Sequence, residues 1–401
     1  MIPSFLKRVG ATLAVARRSR SVAGKNMDIL FEPIRINGMF LKNRFIRTAT
    51  AERMSPPNGE FTQEMINLYT RLARGGVGLI ITGHSYIHPL GKAERRMTGI
   101  HNDSLIPALK RLVNEVHKFK TKIVMQINHC GGRRDKDVGE ETPIGPSKIE
   151  YEPLEIASRA MEPEEIEKVI DFFAQAARRV KDAGFDGVEI HSVHGYLINQ
   201  FLSPLTNKRK DSWGGNLDNR MRFLLEVYRR IRETVGEDYP VLAKIPAGDF
   251  VEGGLSVEEA REVAKKLSEL GIGAIELSGG LAGSRYRKGR KDLAWMRKEA
   301  YFRPYSEMVK KVTSVPVILV GGLRKPETMT RILEEGAADL IGLARPLIRE
   351  PDFPNRIRRG DFRKAECVSC SNCSGPSGRE PTKCRFKKNS CCPLFRTMTL
   401  C

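Results

Sequence analysis

Two histidines and a tyrosine lie together in one short segment, His191-Ser192-Val193-His194-Gly195-Tyr196. Imidazole N–H groups can donate hydrogen bonds to a carbonyl oxygen. Such donors stabilise the negative charge that develops on oxygen when hydride adds to a conjugated C=C bond. The Tyr196 hydroxyl could then protonate the neighbouring carbon as a general acid. The alternatives are a structural role and metal ligation, although residues 191–196 contain no carboxylate or third histidine to complete a metal site.

Glycines follow two apolar runs near the end of the chain. Val320-Gly321-Gly322-Leu323 leaves one run, and Gly342-Leu343-Ala344-Arg345-Pro346 leaves the next. Glycine lets a backbone approach an anion closely, and an arginine can bind a phosphate with two parallel hydrogen bonds. The two segments therefore predict a phosphate site.

Lys244 lies in a run that should be buried, Val241–Ile245, and a buried ammonium group is costly unless it meets a negative charge. A flavin ring that becomes anionic on reduction would supply that charge. Gln126, near the end of another run, could hydrogen-bond the edge of a flat heterocycle. The alternative for both residues is a polar side chain at the mouth of the fold with no role.

Seven of the eight cysteines lie beyond residue 366, and the eighth is Cys130. The spacing Cys367-x2-Cys370-x2-Cys373-x10-Cys384 suits zinc or an iron–sulfur cluster, with free thiols as the alternative. Cys391, Cys392 and Cys401 follow. A disulfide framework would spread cysteines through the chain, so we expect a reducing compartment and a cytoplasmic location.

Eight short apolar runs alternate with longer amphipathic segments. Continuous hydrophobicity is typical of parallel strands that are buried on both faces. Eight strand–helix units predict an α/β fold, a closed (β/α)8 TIM barrel rather than an open sheet. The predicted strands are Phe45–Thr50, Val77–Thr82, Lys122–Ile127, Gly187–His191, Val241–Ile245, Ala274–Ser278, Val315–Val320 and Asp339–Leu343.

Other segments complete the predicted barrel. A hairpin over Phe31–Phe45, with Asn37-Gly38 at its turn, should plug the N-terminal end. Long loops, from about His129 to Met161 and from Gly279 to Ala300, leave the carboxyl ends of strands, where barrel active sites lie. The predicted helices are Thr62–Arg74, Ser104–Lys118, Pro163–Ala183, Leu217–Val235, Ser256–Leu270, Arg303–Val312, Pro326–Glu335 and Asp352–Arg359.

The net charge of +20 is concentrated at the two ends of the chain. Residues 1–26 contribute +6 and residues 355–401 contribute +8, which leaves +6 for the 328 residues between them. This distribution favours solvated tails over a nucleic-acid site. No apolar run reaches the roughly 20 residues that span a bilayer.

The composition divides the chain into three parts. Residues 1–26 form a basic extension, and we expect a disordered segment or an organelle presequence there. An upstream start before Met27 and a vector-derived segment are the alternatives. Residues 27–360 form the barrel, and residues 361–401 a basic, cysteine-rich tail.

Several separate motifs resemble the old yellow enzyme family of NAD(P)H:flavin oxidoreductases, over roughly residues 29–360. They are Pro33-Ile34-x3-Gly38-x3-Lys42-Asn43-Arg44, Gly75-Gly76-x-Gly78-Leu79-Ile80, Gln126-x2-His129-x-Gly131, the run from Gly184 to Leu197 that contains His191-x2-His194-Gly195-Tyr196, Gln200-Phe201-Leu202-Ser203-Pro204, Asn219-Arg220-x-Arg222-Phe223 and Gly342-x2-Arg345-Pro346-x4-Pro351-Asp352.

The resemblance implies an FMN-binding barrel and a role for each matching residue. His191 and His194 would hold the substrate carbonyl, with His191 also near the flavin, and Tyr196 would donate the proton. Ring contacts would come from Gln126 and Lys244. The implied residues at the flavin edge are Ala49, Thr50 and Ala51, and those at the FMN phosphate are Gly321, Gly322, Ala344 and Arg345.

The chain departs from the family pattern at two positions and extends beyond it at the tail. Many members have arginine where Lys244 stands, and Ala51 replaces a threonine or cysteine that tunes the flavin potential. The cysteine-rich tail is similar to that of 2,4-dienoyl-CoA reductase and 2-enoate reductase, which hold a 4Fe–4S cluster. Those enzymes continue into a second domain that binds FAD and a dinucleotide and from which the cluster takes electrons. The alternatives here are a vestigial cluster, replacement of the cluster by zinc, and a cluster served by a separate protein.

We therefore expect an enzyme that uses NADH or NADPH to reduce FMN and then reduces the C=C bond of an α,β-unsaturated carbonyl compound, in a ping-pong reaction. The expected partners are an enone or enoyl compound and NAD(P)H. A separate redox protein and a second copy of the chain are further candidates, and we expect neither nucleic acid nor membrane. The alternatives are an electron-transfer subunit of a larger reductase and a flavin barrel that acts on RNA, like dihydrouridine synthase.

Overall fold

The computed structural model describes residues 27–151, 156–281 and 298–386. The strands in these residues are β1 (Ile34–Ile36), β2 (Met39–Leu41), β3 (Phe45–Arg47), β4 (Leu79–Ile81), β5 (Ser85–Tyr86), β6 (Lys122–Asn128), β7 (Ile144–Gly145), β8 (Ile149–Tyr151), β9 (Ile156–Ala160), β10 (Gly187–His191), β11 (Val241–Pro246), β12 (Ala274–Ser278), β13 (Val317–Leu319) and β14 (Leu340–Leu343).

Eight of these strands close into a parallel barrel, which confirms the predicted fold. Around the barrel the order is β3, β4, β6, β10, β11, β12, β13 and β14, and β14 pairs with β3 again. Strands β10 and β12 have the bounds predicted from sequence, because both are buried over their whole length. The other strands shift by one to three residues at an end, where the ladder begins or stops.

The N-terminal hairpin closes the bottom of the barrel, as predicted. Strands β1 and β2 pair antiparallel through a turn at Asn37 and Gly38, whose φ angles of 41° and 83° suit this residue pair. Ile36, Met39 and Leu41 are buried in one cluster with inward-facing residues of the barrel strands, including Leu242. Apolar burial at about 25 cal/mol per Å2 therefore holds the hairpin in place.

Helices cover the outside of the barrel and pack on the outward-facing residues of its strands. Thr62 caps the first helix by accepting a hydrogen bond from the Met65 N–H. Ser256 and Glu259 form a capping box at another. The helices are α1 (Gln63–Arg74), α2 (Ile106–His117), α3 (Pro163–Asp182), α4 (Leu197–Leu202), α5 (Leu217–Val235), α6 (Val257–Glu269), α7 (Arg303–Lys310), α8 (Pro326–Glu334), α9 (Arg345–Arg349) and α10 (Phe353–Arg358).

The first long loop contains a small sheet that the sequence did not indicate. Strand β9 pairs with β7 and β8 above the carboxyl end of β6. The Arg209 guanidinium holds this region by donating to the carbonyls of Pro146 and Met161, at 2.9 and 2.7 Å. The second long loop, residues 279–300, and the ends of the chain at 1–26 and 387–401 fall largely or wholly outside the described residues.

In the described part of the chain, no helix is both long enough and apolar enough to pass through a lipid bilayer.

Candidate functional site

A cavity of about 200 Å3 opens at the carboxyl ends of the barrel strands. Its wall combines residues from β11 and from the loops that follow β3, β10, β13 and β14. Seven residues singled out in the sequence line it together: Ala49, His194, Lys244, Gly321, Gly322, Ala344 and Arg345. Residues separated by almost 300 positions therefore meet at the end of the barrel where active sites of this fold lie.

The glycine pair at this cavity tolerates no side chain. Gly321 and Gly322 have φ angles of 108° and 73°, which L-residues rarely adopt. A Cβ on Gly322 would come within 2.1 Å of the Lys298 carbonyl oxygen, and one on Gly321 within 2.8 Å of the Tyr301 ring. The backbone is therefore bare beside Arg345, as a phosphate site requires.

Lys244 is held by an acidic partner that the sequence reading missed. Its Nζ lies 2.7 Å from Glu276 Oε1 and 3.2 Å from Thr48 Oγ1. The Thr48 hydroxyl also donates to Glu276. Both side chains of the ion pair are buried, with exposed fractions of 6% and 0%. The charge that a buried lysine needs is thus supplied by the protein, and a flavin is not required for it.

Four predicted flavin contacts, Thr50, Ala51, Gln126 and His191, do not line the cavity. Gln126 lies deeper in the barrel and donates from Nε2 to Glu189 Oε2 at 2.6 Å. Thr50 hydrogen-bonds Arg47 and the Thr48 carbonyl, beside the cavity wall. The Ala51 carbonyl accepts a hydrogen bond of 2.7 Å from the Thr382 hydroxyl of the tail.

His191, His194 and Tyr196 form one aromatic cluster beside the cavity. The His191 ring lies 5.4 Å from His194 and 5.0 Å from Tyr196, edge to face in both cases. His191 Nδ1 accepts from the Val193 N–H at 3.3 Å, which places the proton of a neutral ring on Nε2. His194 Nε2 and Ser278 Oγ are 2.9 Å apart. His194 has a φ of 67°, which turns its side chain toward the cavity wall.

His84 completes this cluster, although the sequence analysis did not select it. Its ring lies 5.7 Å from His191 and 5.2 Å from Tyr196. Burial, followed by the positive charges of Arg53, Arg133 and Lys244, lowers the pKa of His84 to about 3. The ring is therefore neutral at physiological pH. The sequence could have indicated His84 by its position just after β4, because residues that follow the carboxyl end of a barrel strand lie near the barrel mouth.

Arg133 adds a positive charge at the edge of the cluster. Its guanidinium carbon lies 5.4 Å from the centre of the Tyr196 ring, and its Nη1 donates to the His194 carbonyl. Arg133 also fixes the backbone that carries both proposed carbonyl-binding histidines.

The four predicted metal ligands lie around a second, small cavity of about 20 Å3, lined by Cys367, Cys370, Cys373 and Cys384. Burial, reinforced by the other three thiols, raises the pKa of Cys373 to about 11. In the described residues, no three histidine, cysteine, aspartate or glutamate side chains are arranged as a metal site. The four thiols are thus neighbours, but they do not have the geometry of metal ligands.

Arg345 connects the two cavities, because it lines both. Its Nη1 donates to Ser371 Oγ of the tail at 3.2 Å. Nearby, Arg324 Nη1 lies 3.4 Å from Ser369 Oγ, and buried Ser369 lines the larger cavity. The cysteine-rich tail therefore forms part of the wall that surrounds the predicted phosphate site.

The donor groups of the larger cavity fit FMN. The glycine backbone and Arg345 line one part of the wall and could bind a phosphate. Lys244 and His194 line another part and could hydrogen-bond a polar ring. The observation that supports this fit is that Gly321 and Gly322 have no room for a Cβ atom, so that their backbone stays free of side chains.

Comparisons with known proteins agree with this arrangement. Residues 29–363 match the model of the NADH:flavin oxidoreductase / NADH oxidase family. An NADH oxidase of Thermoanaerobacter brockii is 39% identical over 85% of this chain and 52% of its own length. A cinnamate reductase of Clostridium sporogenes is 32% identical over 86% of this chain and 55% of its own length.

The structure of the old yellow enzyme homologue from Zymomonas mobilis superimposes with a TM-score of 0.73 and 26% identity, covering 88% of this chain and 99% of that one. The chain spans about half the length of the two curated relatives named above. With the family model matched over most of its length, the chain belongs to the NADH:flavin oxidoreductase / NADH oxidase family, the family of old yellow enzyme.

Proposed function

We propose that this chain is an FMN-dependent reductase that takes hydride from NADH or NADPH and delivers it to the C=C bond of an α,β-unsaturated carbonyl compound. The observation that carries the proposal is the single cavity in which Lys244, His194, the glycine pair and Arg345 meet. Bound FMN would supply the hydride chemistry, accepting two electrons from the nucleotide and passing them to the substrate in a second step.

The residues of the chain would bind and polarise the substrate. His191 and His194 would donate hydrogen bonds to its carbonyl oxygen, where negative charge develops as hydride reaches the β-carbon. His84 is neutral and packs against the same cluster, so it contributes a ring contact rather than a charge. The Tyr196 hydroxyl would then protonate the α-carbon, so that the C=C bond becomes a single bond with two new C–H bonds.

Family membership supports this function over the alternative of a barrel acting on RNA. The names of the relatives also favour small-molecule reduction, since one is a cinnamate reductase. An electron-transfer subunit is the second candidate. The observation that favours it is the cysteine cavity, which shares Arg345 with the larger cavity.

The decisive experiment separates the two half-reactions in the Tyr196→Phe variant by stopped-flow absorbance. We expect the FMN of the variant to be reduced by NADPH at nearly the wild-type rate. We expect its reoxidation by 2-cyclohexenone to slow by about 10²-fold or more, the usual contribution of a general acid. Tyr86→Phe is the matched control, because Tyr86 belongs to the buried cluster against which Tyr196 packs. Equal slowing of both half-reactions would exclude Tyr196 as the proton donor.

We further propose that Cys367, Cys370, Cys373 and Cys384, which line one small cavity, close around an iron–sulfur cluster or zinc and take up the geometry of ligands only when the metal is bound. Elemental analysis of anaerobically purified protein, together with its visible spectrum, distinguishes these metals. An absorbance shoulder that dithionite bleaches identifies the cluster, whereas zinc is colourless. Cys370→Ser should lose the metal, while Cys130→Ser should keep it, because Cys130 is buried in the barrel. Protein with neither iron nor zinc would contradict a metal at the tail.

A further inference from the structure

Three charged side chains meet inside the barrel, each from a different strand. Glu189 on β10 and Glu276 on β12 flank Lys244 on β11. The exposed fractions are 0% for both glutamates and 5% for the lysine. Of the three, Lys244 alone lines the larger cavity, and the two carboxyl groups lie behind it. A second buried cation, Arg47, has Glu52 as its main acidic neighbour and Glu276 as a weaker one. Two ionised acids beside Lys244 would therefore leave a negative charge without its own counter-ion in a closed interior.

The hydrogen bonds of the two carboxyl groups are incomplete in the same way. Glu276 Oε1 accepts from Lys244 Nζ at 2.7 Å and from the Thr48 hydroxyl. Glu189 Oε2 accepts from Gln126 Nε2 at 2.6 Å. The remaining oxygens, Glu189 Oε1 and Glu276 Oε2, are fully buried and have no donor. A buried acceptor without a donor destabilises the folded state, because it has lost its hydrogen bonds to water.

We propose that Glu189 and Glu276 share one proton, and that this pair sets the net charge with which Lys244 faces the bound flavin. The two side chains are within hydrogen-bond reach of each other. Two carboxylates cannot hydrogen-bond, because both only accept. A single proton between them turns one into a donor and satisfies both orphaned oxygens at once.

The proton belongs on Glu189 rather than on Glu276. Glu276 has the ammonium group of Lys244 at 2.7 Å, which stabilises its ionised form. Burial and then the negative charge of Glu276 raise the pKa of Glu189 well above its usual range, against the smaller effects of Lys244 and Gln126. With Glu189 neutral, the charges of Lys244 and Glu276 balance each other.

The consequence for the flavin rests on the proposed function. A reduced, anionic flavin beside Lys244 would meet a cation already neutralised by Glu276. The midpoint potential of bound FMN should therefore be sensitive to the charge of Glu276 and insensitive to the removal of the proton-bearing Glu189 carboxyl. Glutamine at position 189 can still donate to Glu276 and accept from Gln126, so it imitates the protonated acid.

Infrared spectroscopy of the purified full chain tests the shared proton directly. At pH 9 we expect a carboxylic-acid carbonyl band that shifts when glutamate is labelled with carbon-13 and that disappears in Glu189→Gln. The high pH removes the signal of Glu52, whose buried carboxyl has a pKa of about 7. No glutamate-derived acid band in the wild-type protein would overturn the proposal, and this result needs no variant to fold.

Redox titration of bound FMN tests the role in setting charge. In Glu189→Gln we expect less than a twofold change in the ratio of affinities for reduced and oxidised FMN. In Glu189→Gln/Glu276→Gln we expect this ratio to rise at least tenfold, which is about 30 mV for a two-electron couple. A comparable rise in Glu189→Gln alone would show that Glu189 is ionised and would overturn the proposal.

The infrared result is independent of enzyme activity. An acid band in protein that reduces no enone would uphold the shared proton and reject the proposed function. Enone reduction by protein that lacks the band would do the opposite.

Discussion

Replacing Lys244 by methionine tests whether the barrel interior is balanced electrostatically. The change keeps the length of the side chain and removes the charge 2.7 Å from Glu276. Glu276 would then have the Thr48 hydroxyl as a remaining donor, in a position with 0% exposure. Removing one partner of such a buried pair costs about 3–5 kcal/mol, a large part of the 5–15 kcal/mol of a typical domain.

The sign of the pH dependence follows from the same geometry. Without Lys244, ionised Glu276 would be a buried charge that has lost its counter-ion. That cost is present at high pH and falls as the pH is lowered and the carboxyl can take up a proton. The deficit of Lys244→Met relative to wild type should therefore be greater at pH 8 than at pH 5.

Urea unfolding of flavin-free protein, followed by circular dichroism at both pH values, measures this deficit. The matched control is Lys244→Met/Glu276→Gln, which removes the unpaired charge and should recover most of the lost stability. Electrostatic balance in the barrel interior would be refuted if Lys244→Met lowered the free energy of unfolding by less than about 1 kcal/mol and the double variant were no more stable than the single one.

Two further predictions concern other parts of the site. Gly322→Ala should cost more stability and FMN affinity than Gly378→Ala, since both have φ near 72°, but a Cβ meets the Lys298 carbonyl at 2.1 Å in the first and open space in the second. Equal losses, measured by urea unfolding and FMN titration, would remove the close contact as the cause. Burial raises the pKa of Glu52 from 4.5 to about 7. The protonated carboxyl should therefore contribute about 3 kcal/mol to the free energy of unfolding below pH 4, and this contribution should be lost as the pH rises through 7. Glu52→Gln should flatten this part of the wild-type stability profile, and an unchanged slope would show that another group titrates.

The barrel was predictable because its signal is local. Gly187–His191 and Ala274–Ser278 are buried and mostly apolar and have helices before and after them, so their bounds follow from the hydrophobic pattern. The sheet formed by β7, β8 and β9 was not predictable. Its strands contain two to five residues, and it is fixed by the distant Arg209, a contact that no local pattern indicates.

The candidate site was predictable where a motif marked it. His191, His194 and Tyr196 were found because three chemically useful residues stand within six positions. His84 stands alone after its strand and was missed, although it contacts two of them. A single histidine becomes informative once the strand before it is known to belong to a barrel, because its side chain must then be near the mouth.

Glu189 and Glu276 show the same limit more sharply. Each is one acid in an otherwise apolar strand, and the sequence analysis considered the neighbouring Lys244 without either. Strand order explains their meeting, because β11 lies between β10 and β12. In the register of the parallel strands, Lys244 lies beside Glu276, and Glu189 lies beside Gln126 on the other side of β10. When a buried strand contains a charged residue, both adjacent strands should therefore be searched for a counter-ion before a cofactor is proposed as its partner. Here that comparison supplies the counter-ion from the chain itself and leaves the second acid to be neutralised by a proton.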